Sequence, residues 1–389
     1  MRTILFAFVV FSTISGLLTD ASGQQPSFYP GPSTGPGGPM AGGPVAMAPP
    51  FSAQPTGMVH YGEDPIQFEA QPSSWETSDG NWVASEPSEV FSEEPESFWY
   101  ANADLLWMKR TEVHDNVTDQ VIFVDNSIGS VPAFLVSNTD FHDLDRTGLR
   151  VTIGQQIDPN AAFEVTYFGI REWTKSSRLM GNNSLTINGT VSTVLDDFTL
   201  ADIVNADYSS ELQNVEANYK EMLYHFTVLM GFRYIKFDEQ YTLASTDFDS
   251  STSHYIIQTQ NDLYGGQIGM GVSSDIWRIH FDFLAKGGIY GNPARQSQQL
   301  RDDGDTTVIR DFDSKSNTVA LVAEISAQGT LELTEWMLLR GGYQAIWIDG
   351  VALAPGQIDL TNTASSGRAV RNGATIVVHG VNVGAELHW

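Results

Sequence analysis

Twelve charged residues occupy polar positions in segments where polar and apolar residues alternate. In Met222–Asp238, for example, Phe226 and Val228 share one face and Arg233 lies on the other. Alternation of period two gives a β-strand one apolar and one polar face. If these strands close into a barrel, the charged side chains either line a wet interior or pair across it into a network that fills it. The predicted lumen-lining residues are Asp104, Arg150, Glu164, Glu216, Lys220, Arg233, Arg278, Asp282, Lys286, Glu324, Arg340 and Glu386.

The elements that would position these charges are ten predicted β-strands. They are much longer than the about five to six residues of an average strand, which argues against a soluble β-sandwich. The predicted strands are Phe98–Lys109, Arg146–Gln156, Ala161–Trp173, Tyr208–Lys220, Met222–Asp238, Leu263–Ser274, Ile276–Tyr290, Asn317–Leu331, Glu335–Ile348 and Thr375–Trp389.

The connections between these strands alternate between short and long. The tight links lie at Ile157–Asn160, Glu221, Asp275 and Glu332–Thr334. Short turns at one end and long loops at the other are typical of single-chain outer-membrane barrels, and an even strand number places both termini on the periplasmic side. Twelve strands are the alternative, if Gln120–Asp125 and Pro132–Ser137 form a further pair. The predicted long polar loops are Arg110–Asp145, Thr174–Asp207, Glu239–Asp262, Gly291–Ser316 and Asp349–Ala374.

Tryptophans lie near the ends of several predicted strands. Trp99 and Trp107 share the outward face of the first strand, roughly 26 Å apart at the rise of an extended chain. This spacing fits the two aromatic girdles that border the apolar band of a membrane barrel. An amphipathic last strand with a terminal aromatic also resembles the insertion signal of such barrels. The predicted interfacial and assembly residues are Trp99, Trp107, Trp277, Trp347 and Trp389.

The first quarter of the sequence has a different composition. Met1–Gly23 combines a basic start, an apolar run and a small-residue site, which predicts a secretory signal peptide. The segment from Gln24 to Ser97 is rich in Pro and Gly and then acidic, without Lys or Arg, which predicts a disordered leader. The net charge of -27 argues against nucleic acid or anionic lipid as partners and favours cations or solvated acidic loops. Without cysteine, disulfides and thiol chemistry are excluded.

Catalytic signatures are weak throughout the sequence. His114, His142 and His254 fall in predicted loops beside acidic residues, but loops rich in Asp supply such neighbours by chance. No nucleophile elbow, zinc-binding HExxH or phosphate-binding loop is present. We therefore expect no enzyme, no cofactor and no metal site.

Three blocks carry a family resemblance: FWYANADLLWMKR (Phe98–Arg110), GGYQAIWIDGVALAP (Gly341–Pro355) and HGVNVGAEL (His379–Leu387). They resemble a porin-like β-barrel family abundant in planctomycetes. The resemblance implies a signal peptide, a Pro/Gly-rich leader and a C-terminal barrel in the bacterial outer membrane. Its motifs give no catalytic residue to carry over.

Together these observations predict an all-β protein, a transmembrane antiparallel up-and-down β-barrel over residues 98–389. The leading hypothesis is a porin-like barrel that forms a narrow channel for small solutes or ions. The alternative is a non-conducting structural or adhesive barrel that presents long acidic surface loops. The expected partners are outer-membrane lipid, the barrel-assembly machinery, and small solutes or cations. Bilayer conductance separates the two hypotheses.

Overall fold

The computed structural model describes residues 98–389 except 115–119, 128, 130, 137–143, 194–195, 225, 249–250 and 303–306. The predicted signal peptide (Met1–Gly23) and leader (Gln24–Ser97) lie outside the described residues, and so does His142. Within the described part of the chain, no helix is long and apolar enough to cross a membrane.

In the described part of the chain, twelve β-strands form one antiparallel sheet, and ten of them close into a ring. The predicted fold class, an all-β up-and-down barrel, is confirmed. The strands are β1 Trp99–His114, β2 Gln120–Asp125, β3 Val131–Val136, β4 Leu144–Asp158, β5 Ala161–Ile187, β6 Ala201–Leu223, β7 Phe226–Thr246, β8 Thr252–Ile276, β9 Ile279–Asp302, β10 Thr307–Thr334, β11 Met337–Val351 and β12 Ala374–His388.

The two strands outside the ring are β2 and β3. They pair with each other, and β2 also pairs with the far end of β5, where Phe123 lies opposite Ile187. The pair predicted inside the first loop therefore exists, but it forms a hairpin beside the wall. The wall itself has ten strands, in the predicted order.

The ring closes where the first strand meets the last. β12 pairs with β1 from Tyr100↔His388 to His114↔Thr375. Beyond this ladder, the backbone N–H of Trp99 donates to the carbonyl of Trp389, and the N–H of Trp389 donates to that of Trp99, both at 2.9 Å. The last strand thus closes the ring on the first, while residues 307–320 of β10 extend beyond β11 without a strand partner on that side among the described residues.

The wall has two heights. β5–β10, which we call the tall wall, consist of strands of 21 to 28 residues. β1, β4, β11 and β12, which we call the low wall, have only 15 or 16 residues each. Since about 9–11 residues are enough for a tilted strand to cross a bilayer, the tall wall extends far beyond any membrane. We call the end with the short turns the turn end and the opposite end the loop end.

Three of the predicted long loops are mostly strand, and this is a correction. Thr174–Asp207, Glu239–Asp262 and Gly291–Ser316 form much of the loop-end half of the tall wall. The apolar side chains change face there: Tyr241 and Leu243 point into the ring, while Gln240 and Thr242 point outward. Because the exterior is in water at this height, the pattern that marks the membrane-facing half is absent.

Three turns lie further along the chain than predicted, and one of them, the β10–β11 turn, contains Glu335 and Trp336 instead of Glu332–Thr334. The β6–β7 turn contains Tyr224 instead of Glu221, and the β8–β9 turn contains Trp277 instead of Asp275. Both turn residues adopt a left-handed backbone conformation, with φ of 60° and 61°. A short, tight reversal requires this conformation, and nothing in the alternation of the flanking residues specified its position.

An apolar exterior surrounds the turn-end half of the ring. On β7, Phe226, Val228, Met230 and Phe232 point outward with 36–57% of their surface exposed. Similar side chains continue around the other strands of the wall, including Leu105, Ile153, Val165, Val215, Ile268, Met270, Ile289, Val319, Leu321 and Val383. An apolar surface of this extent is stable in contact with lipid and not in water.

Candidate functional site

The interior of the turn-end half contains a cavity of about 500 Å³ lined by both charged and apolar side chains, which we call the vestibule. Its mouth lies at the turn end, between Phe98, Asn160 and His388. Eleven of the twelve predicted lumen residues lie on interior faces of the wall, because the alternation that predicted them holds through this half. The charged residues that line it are Arg150, Glu164, Glu216, Lys220, Asp282, Lys286, Glu324, Arg340 and Glu386.

Four charges form a buried tetrad at the inner end of the vestibule. Arg233 Nη1 lies 2.8 Å from Glu324 Oε2, and Arg233 Nε lies 3.5 Å from Glu216 Oε1. Lys286 Nζ contacts the same two carboxylates, at 2.9 and 3.1 Å. All four side chains are at most 9% exposed. The tetrad connects β6, β7, β9 and β10 across the interior, and its two positive and two negative charges balance.

Amide side chains fill further hydrogen-bonding positions of this tetrad, although Arg233 Nη2 is buried without a hydrogen-bond partner among the described residues. Asn214 Oδ1 accepts from Arg233 Nε at 2.6 Å, and Gln267 Nε2 donates to Glu216 Oε2 at 2.8 Å. Asn218 Nδ2 also donates to Glu216, at 3.1 Å. Buried charges are tolerated when they are paired and their remaining hydrogen-bonding positions are filled. These contacts make the tetrad a rigid part of the wall.

A second balanced cluster lies on the low wall. Asp104 Oδ2 contacts Arg150 Nη2 at 2.6 Å, and Arg340 pairs with Glu386 on the neighbouring strand. Arg150 Nη1 donates to Gln344 Oε1 at 2.5 Å and so connects β4 with β11. The two charge clusters face the same vestibule from opposite walls.

A single ion pair on β5 and β6 is the third group of charges in the vestibule, and it joins the two clusters. Lys220 Nζ lies 2.6 Å from Glu164 Oε2, and Tyr100 donates its hydroxyl to Glu164 Oε1 at 2.5 Å. Tyr100 reaches Glu164 over Gly154, where an added Cβ would lie only 2.2 Å from the Tyr100 ring. A side chain at position 154 would therefore displace Tyr100 from the carboxylate.

The two remaining predicted lumen charges lie near the turn end. Asp282 lines the vestibule, accepts a hydrogen bond from Ser273 at 2.6 Å and contacts His280 Nε2 at 3.1 Å. Arg278 lies outside the interior, in the exposed β8–β9 turn, where its Nη2 donates to the carbonyl of Glu332 at 3.2 Å. Its placement differs from the prediction because the turn comes later than expected.

The predicted interfacial tryptophans all lie outside the barrel interior. Trp99 and Trp107 are 45% and 47% exposed on the outward face of β1. Trp347 points outward from β11 and is partly buried. Trp277 and Trp389 lie at the turn end, 87% and 65% exposed. The prediction omitted Trp336, which occupies the β10–β11 turn and is 58% exposed; its position beside the Glu332–Thr334 link was the available signal.

An apolar layer lies above the vestibule and closes it, and we call it the dry layer. It contains one or two inward side chains from most strands of the wall, each at most 3% exposed. Its hydrocarbon side chains disfavour water because they cannot replace the hydrogen bonds of bulk water, and the one hydroxyl among its members, on Tyr290, donates to Gln267 Oε1 at 3.3 Å. Its members are Leu106, Met108, Ile170, Leu212, Ile235, Leu263, Tyr290, Val322, Ile346 and Val378.

The connection between β11 and β12, residues 352–373, folds into the ring beyond the dry layer, and we call it the inner loop. Asn261 anchors its start: Asn261 Nδ2 donates to the carbonyl of Ala352, and the Ala352 N–H donates to Asn261 Oδ1, both at 2.8 Å. Glu239 Oε2 accepts from the N–H of Ala354 at 2.7 Å. Arg110 lies 2.7 Å from Glu239 Oε1 and holds this carboxylate in place.

The outer part of the inner loop is held by Arg310 and Gln298. Arg310 Nη2 donates to the carbonyl of Thr361 at 2.7 Å, and Nη1 donates to that of Asp359 at 3.1 Å. Gln298 Nε2 donates to the carbonyl of Gln357 at 2.9 Å. Gly367 has a φ of 71°, and a Cβ there would lie 2.2 Å from Gln298 Oε1, so only glycine fits.

Asp359 fixes the shape of the inner loop. Its carboxylate accepts from the N–H groups of Thr361 at 2.9 Å and Gly367 at 2.6 Å. Partial burial would raise the pKa of this carboxyl, but these hydrogen bonds and the nearby Arg310 guanidinium hold the pKa below its ordinary value of 3.8. The ionised carboxylate therefore favours the docked loop.

Sequence reasoning missed the dry layer and the inner loop. The available signal was the apolar run Val351–Pro355, within a segment predicted to be a polar loop. All five residues are buried. An apolar run in a connection between two amphipathic strands indicates packing against another part of the chain.

A closed antiparallel ring with an apolar exterior and a charged interior defines a porin-like outer-membrane β-barrel. Residues 127–389 match the profile of the family described as Putative beta barrel porin-7 (BBP7). The chain belongs to this family, which confirms the predicted porin-like resemblance. No curated protein matches the chain.

Several solved outer-membrane proteins are similar over three quarters of the chain. The outer-membrane protease OmpT from Escherichia coli is 9% identical, with a TM-score of 0.38, over 75% of this chain and 96% of that one. The translocator domain of the autotransporter NalP from Neisseria meningitidis is 10% identical, with a TM-score of 0.37, over 76% and 90%. The anion-selective porin from Comamonas acidovorans is 10% identical, with a TM-score of 0.18, over 76% and 99%. Scores this low support no argument about function.

Proposed function

We propose that this porin-family barrel is a narrow, gated channel for small solutes or ions, and that its docked inner loop is the closed state. The observation that carries the proposal is the vestibule, a charged cavity of about 500 Å³ inside a membrane-embedded ring. A barrel whose interior served only as packing would have no reason to keep charged side chains around an open volume. The vestibule would be the periplasmic half of the solute path.

The charges of the interior define the class of solute. The tetrad, the low-wall cluster and the Glu164–Lys220 pair each balance, so the vestibule has weak selectivity between small anions and cations. The chain as a whole has a net charge of -27, which concentrates cations near its surface. Ten strands enclose a lumen between that of filled eight-stranded barrels and that of sixteen-stranded porins. The solutes would therefore be small, with a preference for cations.

Opening would require displacement of the inner loop and hydration of the dry layer. The inner loop is attached to the wall by hydrogen bonds from side chains such as Asn261, Gln298 and Arg310, and not by a strand ladder. Each such bond contributes about 0.5–1.5 kcal/mol, and many of them act together with buried apolar residues, so release would need a ligand that binds the released state more tightly than the docked one. Hydrophobic constrictions gate other pores by losing and regaining water.

Single-channel conductance in a planar bilayer tests this proposal. The experiment compares the folded full chain with Asn261→Ala, which removes both bonds to Ala352, and with Gln260→Ala, which changes the adjacent outward residue. We expect rare openings in the wild type and in Gln260→Ala, and frequent openings in Asn261→Ala. Absence of channel events in all three folded proteins would reject the channel and favour the non-conducting barrel.

One observation weakens the alternative that the protein is a non-conducting structural or adhesive barrel. It depended on five long acidic loops that would present a surface outside the cell. Three of those segments, Thr174–Asp207, Glu239–Asp262 and Gly291–Ser316, are largely strands of the tall wall. A fourth, Asp349–Ala374, folds into the ring.

The proposal also includes how the protein reaches the outer membrane. Met1–Gly23 would direct export and be removed, and Gln24–Ser97 would remain as a leader on the periplasmic side. The barrel-assembly machinery would recognise the last strand, with Trp389 at its end. Amino-terminal sequencing of the protein from an outer-membrane fraction should give Gln24 as the first residue, and a start at Met1 would contradict cleavage.

A further inference from the structure

A row of polar side chains crosses the exterior of the tall wall on five neighbouring strands. Each member lies directly opposite the next: Glu211 opposite Asp238, Asp238 opposite Gln260, Gln260 opposite Arg295, and Arg295 opposite Lys315. The row thus has an acidic pair at one end and a basic pair at the other. Together with the next row, which includes Ser297 and Asp313, it lines a concave surface of about 600 Å³.

The basic pair is unfavourable as it stands. Arg295 and Lys315 point outward from β9 and β10 and are exposed. Like charges directly opposite each other destabilise an antiparallel pair. Within the described part of the chain, neither side chain makes an ion pair or a side-chain hydrogen bond. Two exposed cations side by side, without an internal partner, are available to an anion from outside the chain.

The height of the pair above the membrane-facing band identifies the source of that anion. The last outward row of the band runs through Val215, Tyr234, Tyr264, Gly291 and Val319. The charged row lies four residues beyond it on each strand, which is about 13 Å along the strand and about 10 Å along the membrane normal after tilt. Lipid headgroups occupy this layer, outside a hydrocarbon core about 30 Å thick.

We propose that Arg295 and Lys315 bind the phosphorylated headgroup of a lipid in the outer leaflet of the membrane. A phosphate between the two side chains would remove their repulsion, and the acyl chains would lie on the band directly below. Ser297 and Gln260 flank the pair and offer hydrogen bonds to the rest of the headgroup. The acidic end of the row, Glu211 and Asp238, repels phosphate and restricts the headgroup to the β9–β10 end.

Asp313 is the acidic residue closest in register to the basic pair. It lies opposite Ser297, one outward position beyond Lys315 on β10. It makes no ion pair with Lys315 within 4 Å in the described residues. Asp313 therefore sets the outer limit of the site, because a phosphate placed higher would meet a like charge.

Native mass spectrometry of the folded full chain in a non-ionic detergent tests the site, with dioleoyl phosphatidic acid as the probe. The test variant is the double substitution Arg295→Gln/Lys315→Gln. The matched control is Arg301→Gln, which removes an outward cation from the same strand, roughly 20 Å further from the band. Heat-modifiable gel migration checks that each protein is folded. Removal of the like-charge pair relieves repulsion, so the double variant should fold at least as well as the wild type.

We expect the double variant to bind phosphatidic acid roughly 30-fold more weakly, since each basic residue near an anionic lipid surface contributes about a fivefold factor. Lys315→Gln alone should lose about fivefold, and Arg301→Gln should bind as the wild type does. Equal binding by the double variant, or an equal loss in Arg301→Gln, would overturn the proposal. If inorganic phosphate alone bound the wild type as tightly as the lipid, the site would take the free ion and not a headgroup.

Discussion

The interiors of the two halves of the barrel are stabilised by opposite kinds of side chain. In the turn-end half, charged side chains of both signs pair across a hydrated vestibule. In the loop-end half, apolar side chains and the inner loop fill the ring and exclude water. The exterior is reversed: apolar beside the vestibule and polar around the filled half. The polarity of the residues on each face of a strand therefore depends on the surroundings at that height. The outward face meets lipid or water, and the inward face meets the cavity or packed side chains.

This difference predicts how each half responds to the loss of one side chain. Charges hold the vestibule half together, so its stability depends on complete pairing. The dry layer depends on apolar contacts, so its stability depends on filled volume. Substitutions in the two halves should differ both in the size of the effect and in what happens to the flow of ions.

Arg233→Met should have the largest effect, because it leaves Glu216 and Glu324 buried with only Lys286 to balance them. Removal of one partner of a buried ion pair costs about 3–5 kcal/mol. The measurement is urea unfolding of the barrel in lipid vesicles, followed by tryptophan fluorescence. Lys236→Met is the control, since Lys236 points outward from the same strand and its pair with Asp238 is about one-third exposed. Equal losses for both variants would show that the tetrad does not support the wall.

Ile346→Ala should have a smaller effect on stability but a larger one on ion flow. Ile346 is 1% exposed in the dry layer. Truncation of a buried Ile to Ala costs about 2–5 kcal/mol, with the lower end expected where water enters the space. Conductance should rise, because a hydrated dry layer would connect the vestibule with the loop end. Val381→Ala, on the lipid-facing side of β12, should leave conductance unchanged, and a leak in both variants would locate the seal elsewhere.

The sequence specified the vestibule half well and the other half poorly, for a physical reason. Where lipid surrounds the wall, alternation is strong: Phe232 and Tyr234 outward, Arg233 inward. At Gln240 and Tyr241 the same strand continues with the apolar residue inside. Because the pattern reverses there, the sequence predicted a loop for this part of the strand. A single sequence does not show where the membrane ends, so a reversal of faces within a strand has the same pattern as the end of a strand.

The inner loop was hidden for a different reason. Its docking depends on single side chains from distant strands, such as Asn261 with Ala352 and Arg310 with Thr361. The alternation of polar and apolar residues gives no information about contacts between residues so far apart in sequence. Arg278 illustrates a third limit, since a turn displaced by two residues moves a charge from the lumen to the rim.

Acid should release the inner loop, and this is the smallest of the three effects. The pKa of Asp359 is lowered in the docked loop, so its ionised form stabilises docking. That stabilisation is fully present above the ordinary pKa of 3.8 and is lost as the pH falls through the lowered pKa. Open probability in a planar bilayer should therefore stay nearly constant from neutral pH down to about pH 3.8 and rise as the pH falls further. Asp359→Asn cannot titrate, so it should open to the same extent across this range. If the variant kept the acid response of the wild type, the pH dependence would belong to the vestibule carboxylates, and the two halves of the interior would be less independent than their chemistry indicates.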